Sequence, residues 1–513
     1  MIFHFAVGIG LIIATLVIVA KIINIRTAKK AEHIPGVSLL SNLSLFLNPQ
    51  LNFHLYSERL IPTLEKLGVK QNGGGHLYRI TVGGVNYIIN TSPAVFHEVA
   101  VSKYKLFDRP PDFCALTNFN PHSKEANSLF GCSHEPGVGA WKRIRAIVDR
   151  AFTDNNLRKI LERGTYDVVN NLLKKWRSQP EGQTVDASAD MDATVMDMIA
   201  QGGYGIKTDC VNGNDMIFPR MVKNIFRTML LFIVMRRSIV KLIPFAKTYY
   251  YFWPEWRKLL GGFIDVSRQR MLDEPGVHQG DILSAMIKTS DEQSALSTEE
   301  MIKTLSDLTI AANDTTSATL QFALYEIAKQ KQIQENIRQE IDALYEKRDV
   351  DSKDSLPTFD EIVSEMPYTK AVMQEALRKY PVAPYIVRYA TRDVKLDNNT
   401  LIPKHSQVVN VFRIMHNDPE IWGPDAHEFK PERFVNDAVF EKVPRSAHSP
   451  FAAGPRNCVG KRLAEMEIIL TLSTLVRNYN LELFDKGEME TRTIITAHPL
   501  RALKLKISKR NIQ

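Results

Sequence analysis

The sequence predicts an α+β protein that is mainly helical, with small segregated sheets and a single N-terminal transmembrane helix ahead of the body. Three observations carry this. Residues 2–20 are almost wholly apolar, with His4 the only strongly polar side chain. From about residue 93 to 345 the apolar residues recur mostly at helical spacing. Strand-like runs are short and lie apart, at 77–89, 386–396, 406–412 and in the tail from Leu481 to Ile507. Segregated strands and helices of this kind indicate α+β rather than an alternating α/β chain.

The elements follow in order. A helix over residues 2–20 reaches about 28 Å, close to the hydrocarbon thickness of a bilayer. Lys21, Arg26, Lys29 and Lys30 follow it, and no positive charge precedes it. That asymmetry keeps the flank, and the body behind it, on the cytosolic side. The run is long for a cleaved leader, lacks a basic start and has no clean small-x-small end, so it reads as a signal anchor. Residues 1–25 are thus the anchor, and 26–50 a basic flank with a hinge at Pro35-Gly36. Residues 51–513 form the body. LYRITVGGVNYII, 77–89, reads as a hairpin turning through Gly83-Gly84. The segment Phe218 to Trp256 alternates apolar and basic stretches. It reads as two core helices and their connection, or as a piece that also dips into the membrane interface. Ser297-x-x-Glu300 is a capping box opening the longest helical pattern, which runs to about Lys331. One more long helix follows Gly460.

Composition narrows the function classes. At 44% hydrophobic, 24% charged and 9% aromatic residues, with no linker-like stretch in the middle, the 513 residues fit one large globular body. Such a body has room for an interior cofactor. The four cysteines, Cys114, Cys132, Cys210 and Cys458, form no C-x-x-C pair. That excludes a disulfide scaffold and points to a reducing, cytosol-facing compartment. The net charge of +8 comes without any nucleic-acid-binding motif, which leaves a membrane surface or an acidic protein partner.

Three stretches carry chemistry. FAAGPRNCVG, 451–460, sets Phe451, Gly454, Arg456, Cys458 and Gly460 in the spacing F-x-x-G-x-R-x-C-x-G. A cysteine in a glycine-bracketed loop at a helix N-terminus is favoured as thiolate and suits axial ligation of a large flat metal cofactor. AANDTTSAT, 311–319, places an acid and three hydroxyls in mid-helix, where such side chains compete for backbone hydrogen bonds. Taken alone it also reads as a helix break with Asp314 as N-cap. EALRKYP puts Glu375 and Arg378 at i, i+3 on one helix face, a pattern that by itself is an ordinary surface ion pair.

In these motifs and their order the chain resembles the cytochrome P-450 superfamily, of eukaryotic microsomal type. Its style at 416–434, HNDPEIWGPDAHEFKPERF, is similar to fungal members. The resemblance implies the cytochrome P-450 fold and a heme b cofactor with Cys458 as axial ligand. Asp314 and Thr315 would be the acid–alcohol pair over the other heme face, with Ala312 where the family usually has glycine. It makes Glu375, Arg378 and Arg433 a buried charge triad that braces the scaffold. Trp141 and Arg145, from the W-x-x-x-R pattern, together with Arg388 and Arg456, would serve the heme propionates, and Phe451 would pack against the cysteine loop.

The activity so implied is monooxygenation. One atom of O₂ enters a lipophilic small molecule, a steroid, terpenoid, fatty acid or other secondary metabolite. The chain has no G-x-G-x-x-G fingerprint and no flavin domain. Electrons would therefore come from NADPH through a separate membrane-bound reductase, with cytochrome b5 as a further partner, at the endoplasmic reticulum membrane. A P-450-type isomerase or dehydratase needs no external electrons, but such members often lose the acid–alcohol pair, which is intact here. A non-catalytic heme sensor or carrier is the alternative outside enzymes. Nothing in the chain selects a substrate.

Overall fold

The computed structural model describes residues 26–34, 36–38, 76–82, 84–110, 128–130, 141–215, 219, 221–222, 246–274, 280–293, 296–348, 355–435, 442–493 and 495–510. The expected anchor, residues 1–25, lies outside them, as do Cys114, Cys132 and most of 218–245. Among the described residues no helix is long and apolar enough to cross a membrane. The chain divides into two compact units. The first comprises Met1–Pro110, Ala383–His427 and Val443–Asn457; the second comprises Pro111–Val382, Glu428–Lys442 and Cys458–Gln513.

The first unit is built on a six-stranded sheet. Its strands are β1 (Gly36–Ser38), β2 (Leu77–Val82), β3 (Val85–Asn90), β4 (Phe107–Asp108), β5 (Tyr385–Ala390) and β6 (Gln407–Val411), in the spatial order β1-β2-β3-β6-β5-β4. β2 and β3 are the expected hairpin, paired from Leu77↔Asn90 to Val82↔Val85, and Gly84 supplies the positive φ of 79° at the turn. β3 runs parallel to β6, and β6 antiparallel to β5. Ile34, Leu77, Ile88, Val95, Phe107 and Val408 fill one face. Where the sequence suggested a hinge at Pro35-Gly36, β1 pairs in parallel with β2 from Gly36↔Arg79 to Ser38↔Thr81. Asn86 donates from Nδ2 to the Thr27 carbonyl at 2.9 Å, tying the preceding basic flank to the same sheet.

The loop that enters the cysteine motif is anchored in this unit. Ser449 N–H donates to Nε2 of the buried His416 at 3.1 Å. Gly454 then adopts φ 73°, and a Cβ there would sit 2.0 Å from the Ala100 carbonyl oxygen. Only glycine permits that approach.

The second unit is helical. Four helices place its functional side chains: α1 (Trp141–Ala151), α2 (Thr298–Lys329), α3 (Pro367–Lys379) and α4 (Lys461–Asn478). α2 opens on the expected capping box, with Glu300 N–H donating to Ser297 Oγ and Ser297 N–H to Glu300 Oε2. It then runs unbroken, so Asp314 caps nothing. Three of its central hydroxyls bond back along the helix instead, Thr309 to Leu305 O, Thr315 to Ala311 O and Thr319 to Thr315 O, each at 2.8 Å. This satisfies them without breaking the i→i−4 ladder. α2 packs against the helix Ala187–Asp197, α3 and α4. Phe322 of α2 stacks on Tyr380 just after α3, ring centroids 4.7 Å apart. The tail is β-rich as expected. Tyr479–Leu483 pairs with Lys504–Lys509, which also pairs with Thr184–Asp186, and a hairpin joins β7 (Thr491–Thr493) to β8 (Ala497–Pro499).

α4 carries an uncompensated acid. Glu467 is 3% exposed, its Oε1 has no hydrogen-bond partner, and burial alone pushes its carboxyl up to about 8.

Two stability predictions follow from these buried positions. A folded pKa above the unfolded value means that the folded state holds the Glu467 proton more tightly. That contribution is full below about pH 4.5 and is lost as pH rises through about 8. Glu467→Gln should therefore flatten the decline in the urea midpoint across that window and raise the unfolding free energy at pH 8 by a few kcal/mol; an unchanged slope would show that Glu467 does not set it. Gly454→Ala should cost about 3 kcal/mol or more through the carbonyl clash and the positive φ together, read from the same unfolding midpoint. Wild-type stability in that variant would show that the loop has room to move.

Candidate active site

Cys458 ends the glycine loop and begins the approach to α4. Its side chain is exposed by surface area, yet burial is the largest influence on its thiol and pushes it up. Both hold when the sulfur opens into a walled recess rather than onto the outer surface. Against burial, the Gly460 N–H donates to the sulfur, and the cations Arg145 and Lys461 also favour the thiolate, while Glu465 opposes it. Such a recess, with an N–H donor and two cations around a sulfur, suits a thiolate that becomes a metal ligand.

Arg145 reaches this place from α1. It lies one turn after Trp141, which is 5% exposed, and pairs through Nε with Asp149 Oδ1 at 2.7 Å. The sequence-expected pair Trp141 and Arg145 therefore sits on one helix, with Arg145 beside the Cys458 sulfur.

The centre of α2 shows a second opening. The helix is buried almost throughout from Glu300 to Ala328, but Ala311 is exposed and Ala312, Asp314 and Thr315 are half-buried. Thr309 just before and Ala318 just after are fully buried. Small side chains, an acid and a hydroxyl thus line an open stretch in the middle of a core helix. Asp314 does not point free into it. Thr496 Oγ1 donates to its Oδ2, and His498 Nε2 lies 3.1 Å from its Oδ1.

In the first unit, Arg388 of β5 and Arg456 are 4% and 9% exposed. Arg456 Nη2 donates to Asp108 Oδ1 at 3.0 Å, and the Arg109 N–H donates to the same oxygen at 2.7 Å. Burial drives the Arg388 guanidinium well below its usual range, Arg109 and Arg456 push the same way, and Asp108 alone opposes them. Among the described residues three guanidinium groups thus gather near the Asp108 carboxylate, a cationic environment of the kind that suits a dianionic ligand. Phe451 lies in the same unit, half-buried at the start of the loop.

The structure brings Glu375, Arg378 and Arg433 together. Arg378 and Glu375 are both fully buried and meet in a fork, Nε to Oε2 and Nη2 to Oε1, each at 2.7 Å. Arg433 Nε lies 3.5 Å from Glu375 Oε1, which also accepts the Lys430 N–H at 2.8 Å. Arg378 reaches on to the Glu428 carbonyl at 2.9 Å. α3 is thereby bolted to the irregular chain at 428–433.

Sequence reasoning passed over Asp108 and Arg109, which become legible only when Arg456, 348 residues later, is seen on Asp108. It also passed over Thr496 and His498, which carry no motif and lie 182 or more residues after Asp314. The donor set fits a heme: a recessed cysteine, an opened core helix of small residues, and arginines gathered near one carboxylate.

The comparisons with known proteins agree. A family model described as Cytochrome P-450 matches residues 63–505. Cytochrome P-450 3A28 of Bos taurus is 29% identical over 361 residues, covering 67% of each chain. Cytochrome P-450 3A5 of Homo sapiens is 30% identical over 360 residues, covering 67% of this chain and 68% of its own. A crystal structure of a cytochrome P-450 (CYP102L1) has a TM-score of 0.75 at 20% identity, covering 93% of this chain and 99% of that one, a likeness of fold. The chain belongs to the cytochrome P-450 family and is a heme b monooxygenase, an oxidoreductase.

Proposed function

We propose that this chain is a microsomal monooxygenase that puts one oxygen atom of O₂ into a lipophilic small molecule. The second oxygen atom leaves as water, taking up two protons and two electrons. The observation that carries the reading is the opening in the middle of α2, where Ala311, Ala312, Asp314 and Thr315 surface from an otherwise buried helix. The resemblance of the motifs supports the substrate class, a steroid, terpenoid, fatty acid or related metabolite. The electrons would come from NADPH through a separate flavoprotein reductase, with cytochrome b5 as a second donor. Residues 1–25 would hold the body at the endoplasmic reticulum membrane, where such substrates collect.

Each residue then has a task. Cys458 would ligate the heme iron as thiolate; burial pushes its thiol up, and the Gly460 N–H, Arg145 and Lys461 work against that push. The resemblance assigns Arg388, Arg456, Trp141 and Arg145 to the heme propionates, whose negative charge the arginines would neutralise. Phe451 shields the cysteine loop. Heme b, when bound, supplies the binding and reductive activation of O₂. Thr315 holds a water by its hydroxyl, and Asp314 passes protons to that water from the solvent side. Ala311 and Ala312 leave the space for it. Glu375, Arg378 and Arg433 hold the scaffold in register, and removing any one strands a buried charge at a cost of about 3–5 kcal/mol. An intact acid–alcohol pair favours monooxygenation over an electron-free isomerisation.

Thr315→Ala tests the reaction. During turnover of the compound that gives the largest heme spin-state shift in a panel of steroids, terpenoids and fatty acids, the peroxide released per NADPH should rise severalfold. Unchanged coupling would remove Thr315 from proton delivery. Deleting residues 1–25 should release most of the protein from membranes in a sedimentation assay; full retention would assign the anchoring to the body.

A further inference from the structure

Asp314 is held from outside its own helix. The hairpin β7–β8 near the end of the chain brings Thr496 and His498 onto it. Thr496 Oγ1 donates to Asp314 Oδ2, His498 Nε2 lies 3.1 Å from Asp314 Oδ1, and Thr496 Oγ1 lies 3.1 Å from the same ring nitrogen. Both carboxylate oxygens are therefore engaged by one short segment. Other charges also face the ring. Asp192, on the helix Ala187–Asp197, favours its charged form and accepts from Gln321 of α2 at 3.2 Å; Arg492, on β7, opposes that form. Burial disfavours the imidazolium, but the bond and charge of Asp314 outweigh it, and the net displacement of the His498 pKa is upward from its usual 6.5.

Exposure orders the three groups. The His498 side chain is 26% accessible and that of Asp314 14%. The imidazole therefore meets solvent more readily than the carboxylate it touches. An imidazole that contacts a carboxylate through one nitrogen can hand it that proton and be reloaded by exchange with water.

We propose that His498 is the positioning residue through which protons reach Asp314, with Thr496 fixing the second carboxylate oxygen. The inference rests on the monooxygenase reading, in which Asp314 feeds Thr315. In each transfer the imidazolium gives its Nε2 proton to Asp314 Oδ1 and is left as the neutral Nδ1–H tautomer; water then reprotonates the bare Nε2 and restores the imidazolium, so charge and protons balance. The device makes proton supply depend on pH through a residue of the C-terminal hairpin rather than through α2 itself. Below the His498 pKa the imidazolium is loaded; as pH rises through it, supply falls and reduced oxygen escapes as peroxide.

The test has two arms on the full-length holoprotein. In the first, the ferrous carbonyl complex carries ring-labelled histidine, His498 is assigned by its loss in His498→Gln, and its pKa is followed by NMR. A value above 6.5 that Asp314→Asn lowers by about one unit is expected. A pKa that Asp314→Asn leaves in place overturns the pairing, whatever the activity. In the second arm, peroxide per NADPH is measured from about pH 6 to about pH 9 with the spin-state-selected substrate. Wild type should release more peroxide as pH rises. His498→Ala should be uncoupled severalfold throughout. His498→Gln, which keeps a donor for Asp314 but cannot titrate, should show a flat profile. If both His498 variants keep the wild-type profile while Thr315→Ala uncouples, the inference fails and the monooxygenase reading stands. If Thr315→Ala stays fully coupled too, the reading itself fails.

Discussion

The constraint on which the second unit depends is that a polar helix is buried. α2 carries Ser306, Thr309, Asn313, Thr316, Ser317 and Thr319 at 9% exposure or less, in the middle of a core. Left unpaired, each such group costs about 1–3 kcal/mol. The helix resolves this for Thr309 and Thr319 by folding hydroxyls back on its own carbonyls, and for Ser306 and Thr309 by recruiting neighbours. Asn313 Oδ1 and Ser317 Oγ have no hydrogen-bond partner among the described residues. Tyr204 meets Thr309 at 2.8 Å, and Trp256 donates to Ser306 at 2.9 Å. Elements distant in sequence are thus committed to α2 by polar contacts as much as by apolar ones. A purely apolar helix could slide or rotate among them; this one has a fixed register.

That register is what gives the opening at Ala311 its meaning. Rotating α2 would bury Asp314 and expose Thr309 or Thr319. The adjoining scaffold is fixed in the same way by α3. The Glu375–Arg378 fork is inaccessible to water, and Arg433 and the Lys430 N–H complete the carboxylate. Buried pairs of this kind add little net stability over apolar replacements, but removing one partner is costly. Their use here is geometric: they hold the chain at 428–433 against α3.

How much of this was legible in the sequence depended on the range of each interaction. The hairpin of β2 and β3, the capping box at Ser297 and the helix after Gly460 are local, and residue spacing alone placed them. Glu375 and Arg378 are three residues apart, and their order before the P-E-R-F stretch added Arg433. Asp314 drew attention because an acid between hydroxyls is odd in mid-helix. Its partners had no such signature, since a threonine and a histidine in a β-rich tail look like any others. Asp108 and Arg109 stayed hidden for the same reason. Nor does spacing reveal that Gly36–Ser38, after a Pro-Gly pair, joins a sheet edge, because a parallel partner leaves no turn between them.

The hairpin on Asp314 also has a consequence for how the chain is made. Thr496 lies 182 residues after Asp314. At about 5–20 residues per second, α2 leaves the ribosome roughly 10–35 s before the segment that completes its acid. During that interval the helix must form around a carboxylate that has neither of its eventual partners. A nascent chain stalled or cut short of residue 496 would hold every motif from Trp141 to Cys458 and still lack this closure. The segment that closes on Asp314 is therefore made long after the helix it completes.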